Sequence, residues 1–240
     1  MTDIFSKLNY GKKKELYFER DMSPDKSKKL KKDINENIDG IHGYLYDCDD
    51  IITRDFYMGQ TPKHQMSLMF IDGMADKDMI QNDILKSLML FTRQFPLEYS
   101  VGEKFFNMVK EGLLTVGEMK ESDNFGEVIL GILSGDTVLF LDKVEKALVI
   151  STRGWEKRGV QEPSTEAVIR GPRDGFTETY RTNVALVRRR IKDPNLKVKT
   201  IKLGRHTRTD VGVMFIQGVA KPSIVDEVLK RLNTVDTSSV

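Results

Sequence analysis

Cysteine is almost absent from this sequence of 240 residues, in which Cys48 is the only one. A single cysteine excludes a disulfide within the chain and is typical of a reducing compartment. Long apolar runs are absent too, because no segment approaches the roughly 18 apolar residues that a membrane-spanning helix requires. The first residues lack the apolar core of a signal peptide, so nothing in the chain itself predicts export. With 39% hydrophobic and 31% charged residues, the composition is that of a soluble globular protein.

Residue patterns that support catalysis or metal binding are also missing. The segment DCDD, residues 47–50, follows His42 by a few positions, but we expect its aspartates to face solvent rather than to hold a metal. His64 and His206 have no carboxylate or cysteine at ligand spacing, and no nucleophile has a base placed beside it. No phosphate-binding glycine motif occurs. The sequence therefore predicts no catalytic residue, no metal, no cofactor and no enzyme activity.

Charge is distributed unevenly along the chain. Residues 33–150 contain 10 basic and 21 acidic side chains, whereas residues 151–210 contain 15 basic and 7 acidic ones. This segregation predicts two domains that have different partners or that are each other's partner. Residues 1–32 are lysine-rich without sustained periodicity, and they predict a basic, disordered arm. That arm is either a solvated tail or a segment attracted to an anionic membrane or to nucleic acid.

An internal repeat is the strongest pattern in the sequence. The segment MFIDGMA at 69–75 aligns with MFIQGVA at 214–220, and the same offset of 145 residues places Gly59 on Gly204. With one residue removed, DILKSL aligns with EVLKRL, and with one residue shifted, Asn37 aligns with Asn183. The repeat predicts a helix–strand–strand–helix unit near residues 34–89 and again near residues 176–233.

The fold class that follows is α/β (α+β), with two related subdomains that each place the repeated unit on a small mixed sheet. We expect an acidic first subdomain at residues 33–120 and a basic second subdomain at residues 121–240. The second one also contains a predicted hairpin at residues 137–152. With the strand EAVIRG at 166–171 in front, its repeated unit has the order β-α-β-β-α.

One helix, in the segment RGPRDGFTETYRTNVALVRRRI at 170–191, combines an apolar stripe with four arginines. The stripe, which we expect to pack on a sheet, consists of Phe176, Tyr180, Val184, Val187 and Ile191. Two interpretations of its start stay open. The helix N-terminus and Arg173 can hold an anion, or Arg173 and Glu178 can pair across a structural corner beside a solvated arginine face.

The same region resembles the A subunit of GerA-type spore germinant receptors. That family has GPR-x-x-F-x-E, then T-N-x-x-L-x-R-R-R-I, then L-G-x-x-(S/T)-x-T-x-V, and this sequence matches these motifs from Gly171 to Thr209. The resemblance covers residues 33–235. The chain ends at Val240, where the family continues into a membrane-embedded half, so the resemblance implies the soluble N-terminal portion of a larger subunit.

The resemblance implies a nutrient sensor that acts with B and C subunits in the spore inner membrane, with this domain on the cytoplasmic (spore core) side. The resemblance leaves three roles open for this domain: ligand sensing, signal transmission, and subunit assembly with B, C or further copies. If the domain senses a ligand, that ligand is a small-molecule nutrient. An anion- or nucleotide-binding module is the alternative, and nucleic acid is not expected as a partner. The candidate ligand or interaction residues are Arg173, Glu178, Asn183, Arg188, Arg189, Arg190 and Arg205.

Overall fold

The computed structural model describes residues 27–59, 63–94, 102–113, 117–154 and 175–235. The described residues between 27 and 154 form what we name the first unit, and residues 175–235 form the second unit. The helices of the first unit are α1 (Ile34–Tyr44), α2 (Lys77–Met79), α3 (Lys86–Gln94), α4 (Glu103–Met108) and α5 (Phe125–Leu133). Its strands are β1 (Ile51–Met58), β2 (His64–Ile71), β3 (Met119–Ser122), β4 (Thr137–Leu141) and β5 (Ala147–Ile150). A π-helical segment, Ile80–Leu85, joins α2 to α3, and another, Val109–Leu113, continues α4.

The first unit is built on one antiparallel sheet of five strands in the order β1-β2-β4-β5-β3. Side chains of β2 alternate between its two faces, because Met69 and Ile71 belong to one apolar cluster and Leu68 and Phe70 to the other. Helices α1 and α5 cover the first face, and the π-helical segments with α3 and α4 cover the second. The sheet is therefore buried on both sides.

The second unit is smaller. It consists of α6 (Tyr180–Arg190), β6 (Leu196–Leu203), β7 (Thr209–Ile216) and α7 (Pro222–Asn233), and its two strands form an antiparallel hairpin. No residue of α7 is buried. Within residues 175–235, no further strand pairs with β7.

The predicted repeat of helix, strand, strand and helix is confirmed by the element order of the two units. Ile51 pairs with Ile71 in the first hairpin, and Leu196 pairs with Ile216 in the second, so the offset of 145 residues preserves the strand register. Gly73 and its equivalent Gly218 both have positive φ, at 83° and 84°, a conformation that favours glycine. The two units therefore share the geometry of the turn that follows the second strand of each hairpin.

The residue that had to be removed to align the final helices has a structural counterpart. In the first unit the helix after β2 contains the π-helical segment Ile80–Leu85, whereas α7 in the second unit is α-helical throughout. A π-bulge accommodates one inserted residue without shifting the rest of the helix. The π-helical segment thus accommodates the extra residue of the first unit. After it, the apolar positions of the two final helices align again.

Two expectations about the domain plan are corrected. The boundary at residue 120 is wrong, because β4 of the predicted hairpin pairs with β2, and β3, α5, β4 and β5 all belong to the first unit. Charge counts do not show which sheet a hairpin joins. The described sheets are antiparallel rather than mixed, since short connections join β1 to β2, β4 to β5 and β6 to β7. Strand β3 was missed, and the predicted strand at 166–171 lies outside the described residues.

The end of the predicted arm is also part of the fold. Leu30 is buried in the core of the first unit, and its backbone N–H donates to the carbonyl oxygen of Asp123 at 2.8 Å. The first unit therefore includes residues 27–32. The rest of the predicted arm lies outside the described part of the chain.

Candidate functional site

Helix α6 lies across the end of the β1–β2 hairpin and joins the two units. Ala185 belongs to the apolar core of the first unit, although α6 belongs to the second unit in sequence. The turn after β2 approaches α6 closely at Gly73, where an added Cβ would lie 3.0 Å from the carbonyl oxygen of Arg181. Gly73 has both the positive φ and the close contact that a larger residue would not tolerate.

A buried ion pair between Arg188 and Asp50 fixes this helix to the first unit. Nε of Arg188 donates to one carboxylate oxygen of Asp50 at 2.7 Å, and Nη2 donates to the other at 2.9 Å. The Arg188 side chain is 0% exposed and that of Asp50 only 6%. Burial alone would lower the pKa of Arg188, but the two hydrogen bonds to Asp50 hold it above its usual range. The expectation that the aspartates of 47–50 face solvent is wrong for Asp50.

Asp72, a second acidic residue at this end of the hairpin, contacts the start of α6. Asp72 follows β2, and its backbone N–H donates to the carbonyl oxygen of Asp50 at 2.8 Å. Its carboxylate lies 3.1 Å from Nη1 of Arg181 and 2.6 Å from Nζ of Lys77. Two aspartates at the same end of one hairpin therefore hold two arginines that are two helical turns apart.

Strand β6 adds a third set of contacts to the same joint. The backbone N–H of Asp49 donates to the carbonyl oxygen of Val198 at 2.9 Å, and that of Val198 donates to Asp47 at 3.0 Å. Nζ of Lys199 also pairs with the Asp47 carboxylate, and the N–H of Thr200 donates to the Asp49 carboxylate at 2.6 Å. The acidic segment of the first unit is thus paired with the basic second unit inside one chain.

Two further ionisable groups are buried at this joint. Lys197 is 0% exposed; its Nζ donates to the carbonyl oxygen of Tyr44 at 3.3 Å and lies 3.8 Å from the centre of the Tyr46 ring. Burial lowers the pKa of Lys197 and raises the pKa of the Cys48 thiol. Both side chains are buried and hydrogen-bonded to backbone carbonyl oxygens at the joint, Lys197 to Tyr44 and Cys48 to Leu196.

A cleft opens beside the joint, where α6 begins. It has a volume of about 220 Å³, its walls include Lys77, Arg181 and Arg189, and small residues line it at Gly73, Ala75, Gly154 and Ala185. Asp72 is its only lining acid among the described residues, so positive charge prevails. A second hollow of about 190 Å³ shares Asp72 and Arg181 with it and is more acidic, with Asp49, Asp50 and Asp210 in its lining.

The start of α6 is chemically unlike the start of its equivalent, α1. At α1 the side chain of Asp33 accepts hydrogen bonds from the backbone N–H groups of Asn35 and Glu36. The equivalent residue at α6 is Thr179, which makes no side-chain cap. Thr179, Arg181 and Thr182 all line the cleft. The first turn of α6 therefore lines the cleft without the side-chain cap that Asp33 gives α1.

The candidate residues from the sequence lie in different places. Arg188 is buried at the joint, Arg189 lines the cleft, and Arg190 and Arg205 are exposed on the second unit. Asn183 holds the backbone of Thr177 with two hydrogen bonds of 2.6 Å. Glu178 is exposed and precedes α6. Its proposed partner Arg173 lies outside the described residues.

The apolar stripe of this helix is only partly as expected. Phe176 is 75% exposed, because the helix begins four residues later, at Tyr180. The buried residues of α6 are Val184, Ala185, Leu186 and Arg188. They span a wider arc than one stripe, since the helix packs between the two units. Of the arginines, Arg188 is inside this arc and is not part of a solvated face.

Sequence reasoning missed Asp50, Asp72, Lys77, Arg181 and Thr179 as parts of one site. A signal for Thr179 existed, because the alignment of Asn37 with Asn183 also places the capping residue Asp33 opposite Thr179. Nothing in the spacing shows that Asp50 and Asp72 meet, since β1 and β2 separate them in sequence.

Comparison with known proteins decides the family. Residues 39–240 match the family described as Bacillus/Clostridium GerA spore germination protein. The chain belongs to this family. It is 32% identical over 191 residues to spore germination protein KA of Bacillus subtilis (strain 168), covering 80% of this chain and 34% of that one. It is 31% identical over 211 residues to spore germination protein B1 of the same strain, covering 87% and 41%. The chain thus spans less than half of the length of these relatives.

A solved structure supports the same assignment. The N-terminal domain of the A subunit of the Bacillus megaterium spore germinant receptor GerK3 matches with a TM-score of 0.69 and 30% identity, covering 87% of this chain and 74% of that one. The GerA chain is therefore an A-subunit N-terminal domain of α+β fold. Among its described residues, no helix has the length and apolarity to cross a membrane, and no His, Cys, Asp and Glu side chains form a metal-ligand cluster.

Proposed function

We propose that this GerA chain is the part of a germinant receptor A subunit that senses a small nutrient-derived anion and passes the signal to the rest of the receptor. On this proposal it works with B and C subunits at the spore inner membrane, on the spore core side. Its family membership and its likeness to the GerK3 A subunit support the setting. The cleft at the start of α6 supports the sensing role.

The chemistry of the cleft favours a small carboxylate. Lys77 and Arg181 supply positive charge, and the uncapped start of α6 supplies backbone N–H donors. The cap of α1 supports a carboxylate as the ligand, because the Asp33 carboxylate accepts hydrogen bonds from two backbone N–H groups at the equivalent position. Small residues leave about 220 Å³, which suits a molecule with a few carbon atoms. The observation that carries the proposal is that α6 begins without a side-chain cap from Thr179, in a cleft lined by Lys77, Arg181 and Arg189.

Signal transmission follows from the position of the ligand on α6. Arg181 would contact the ligand and already pairs with Asp72, while Arg188 on the same helix pairs with Asp50. A carboxylate competes with Asp72 for Arg181, so binding changes the contacts that hold α6 on the first unit. Because α6 begins the second unit, a shift of α6 moves that unit relative to the first. The ligand thus biases the relative orientation of the two units.

The test is a ligand-dependent melting measurement with two N-cap variants. Sodium propionate is compared with propionamide, its neutral isostere, at equal ionic strength. Thr179→Asp supplies a carboxylate within the chain, as Asp33 does, and should stabilise the protein by about 0.5–1 kcal/mol. Lys221→Asp, the matched control, places the same cap on α7, which also lacks a side-chain cap but lies outside the cleft lining.

The expected result is that propionate, and not propionamide, raises the melting temperature of the wild type and of the Lys221→Asp variant. The Thr179→Asp variant should melt higher without ligand and should no longer respond. A propionate response that survives in the Thr179→Asp variant would place the carboxylate elsewhere. If propionate does not change the melting temperature of the wild type, the cleft does not sense small carboxylates.

A further inference from the structure

Asp72 pairs with one cation from each unit. Its Oδ1 lies 2.6 Å from Nζ of Lys77, which belongs to the first unit, and its Oδ2 lies 3.1 Å from Nη1 of Arg181, which belongs to the second. The Asp72 side chain is only 14% exposed, whereas those of Lys77 and Arg181 are 54% and 60% exposed. The acid is thus largely withdrawn from water, while both of its partners reach solvent and line the cleft.

The first unit alone fixes the position of Lys77 beside Asp72. Lys77 is the first residue of α2, and the preceding Asp76 caps this helix by accepting hydrogen bonds from two of its backbone N–H groups. The backbone N–H of Asp76 in turn donates to the carbonyl oxygen of Thr152 at 2.7 Å. These contacts all lie within the first unit, so a movement of α6 leaves Lys77 in place.

The two cations have different consequences for ligand binding. If a ligand carboxylate takes Arg181, Asp72 keeps its ion pair with Lys77. Oδ1 of Asp72 makes no hydrogen bond among the described residues, so the charge of Lys77 is what balances it. Without Lys77, the same ligand would leave a largely buried carboxylate with neither of these cations, which is costly. Lys77 therefore lowers the free energy that is needed to detach Arg181 from the first unit.

The other anchor of α6 is built differently. Asp50 uses both of its carboxylate oxygens on Arg188, and both side chains are buried. Arg188 follows Arg181 by seven residues, which is about 10 Å along the helix. Helix α6 is therefore held firmly near its end, at Arg188, and by an exchangeable ion pair at its start.

We propose that Lys77 is a positioning residue that acts through Asp72. It holds the Asp72 carboxylate when a ligand carboxylate takes Arg181, and it thereby sets how tightly the ligand binds. This exchange of partners rests on the carboxylate binding proposed for the cleft. It adds the step by which binding replaces a contact between the two units with a contact inside the first unit, so that the start of α6 is released while Arg188 stays anchored.

A double-mutant cycle on the dissociation constant of propionate tests this role. The 240-residue chain is titrated, and the backbone amide signals at the start of α6 are followed. Lys77→Met should weaken binding by about two- to fivefold, and Asp72→Asn should tighten it by a similar factor because Arg181 then has no competing carboxylate. In the Asp72→Asn background, Lys77→Met should change the dissociation constant by less than about twofold. Lys110→Met, the control, removes a lysine that pairs with Glu121 outside the cleft lining and should leave binding unchanged.

Two results would overturn the role of Lys77. A larger effect of Lys77→Met in the Asp72→Asn background would show that Lys77, once free of Asp72, holds the ligand directly. Equal effects in both backgrounds would show that Lys77 acts by its charge alone. Asp72→Ser, which also removes the carboxylate, repeats the comparison if Asp72→Asn folds poorly. If the wild type does not bind propionate, the sensing role fails and the exchange fails with it, whereas wild-type binding with equal effects refutes the exchange alone.

Discussion

Asn37 and Asn183 make the same pair of hydrogen bonds in the two units. The side-chain oxygen of Asn37 accepts from the backbone N–H of Lys31 at 2.8 Å, and its amide nitrogen donates to the Lys31 carbonyl oxygen at 2.7 Å. Asn183 does the same with Thr177, at 2.6 Å for both bonds. Each asparagine ties the strand-like entry segment to the helix that follows it. The repeat therefore preserves side-chain chemistry as well as the order of elements.

Both asparagines should matter for stability to a similar extent. We expect Asn37→Ala and Asn183→Ala each to lower the free energy of unfolding by about 1–3 kcal/mol, because each leaves a backbone donor and acceptor without partners. Urea unfolding measures the loss. Asn35→Ala, which removes an exposed side-chain contact to Gln65, should change stability by less than about 0.5 kcal/mol. Equal losses of unfolding free energy in all three variants would contradict this role of Asn37 and Asn183.

The joint between the units should show strong coupling. Asp50→Ala leaves the Arg188 charge buried and unpaired, so we expect a loss of about 3–5 kcal/mol in the free energy of unfolding. Arg188→Met combined with Asp50→Ala should recover most of that loss, because neither charge stays buried. Arg188→Lys should not restore the wild-type value, since lysine lacks the fork that binds both carboxylate oxygens.

Chemical denaturation of these variants forms a double-mutant cycle. The exposed pair of Glu227 and Arg231 is the control, and its Glu227→Gln variant should stay close to the wild type. Additive losses for Asp50 and Arg188 would show that the two side chains do not act as a pair.

A histidine gives the first unit a pH dependence. His64 stacks on Phe105 with ring centres 4.2 Å apart, and its Nε2 is buried without a hydrogen-bond partner among the described residues. Burial and the nearby Lys143 charge lower the pKa of His64. As the pH falls, the unfolded state therefore binds a proton at His64 before the folded state does. The contribution of neutral His64 is complete above pH ~6.5, the pKa of an ordinary histidine, and is lost as the pH falls towards the folded pKa.

The measurement is the melting temperature between pH 7.5 and pH 5. The wild type should lose stability more steeply below pH ~6.5 than the His64→Gln variant. His206→Gln alters an exposed side chain in the β6–β7 turn and serves as the control. A wild-type profile that is parallel to that of His64→Gln would show that His64 does not contribute.

The repeat also predicts opposite outcomes for aligned residues. Ile84→Asp places a charge in the core of the first unit and should abolish cooperative folding. Val228→Asp, at the aligned position, should leave the melting temperature of the 240-residue chain nearly unchanged, because Val228 lies at the surface. Thermal unfolding followed by circular dichroism distinguishes them. Unfolding of both variants would mean that α7 is covered within the chain.

Much of the fold was predictable from local patterns. The strands at 51–58 and 196–203 and the helices that follow each hairpin agree with the aligned apolar positions and turn glycines. The assignment of β4 and β5 to the first unit was not predictable, because this hairpin joins the sheet through the pairing of β4 with β2, which is more than sixty residues away in sequence. Periodicity shows which residues are buried but not which sheet a strand joins.

The candidate site was less predictable than the fold. The charge segregation predicted two domains that have different partners or that are each other's partner, and the two units do meet through Asp50 with Arg188 and Asp72 with Arg181. Assembly with further copies through the candidate residues Arg188, Arg189 and Arg190 stays a prediction, but Arg188 already pairs with Asp50 inside the chain. Which arginine is buried depends on how α6 lies across the hairpin, and helical spacing alone does not determine that.

The most direct test of the account is a propionate titration followed by the backbone amide signals of the 240-residue chain. If a small carboxylate binds at the start of α6, the amides of Arg181 and Thr182 shift first and most, and they shift with the same saturation curve. Propionamide leaves them unchanged, and the Thr179→Asp variant shows them already displaced before ligand is added. Shifts confined to other residues, or none at concentrations that saturate the melting response, would contradict the account.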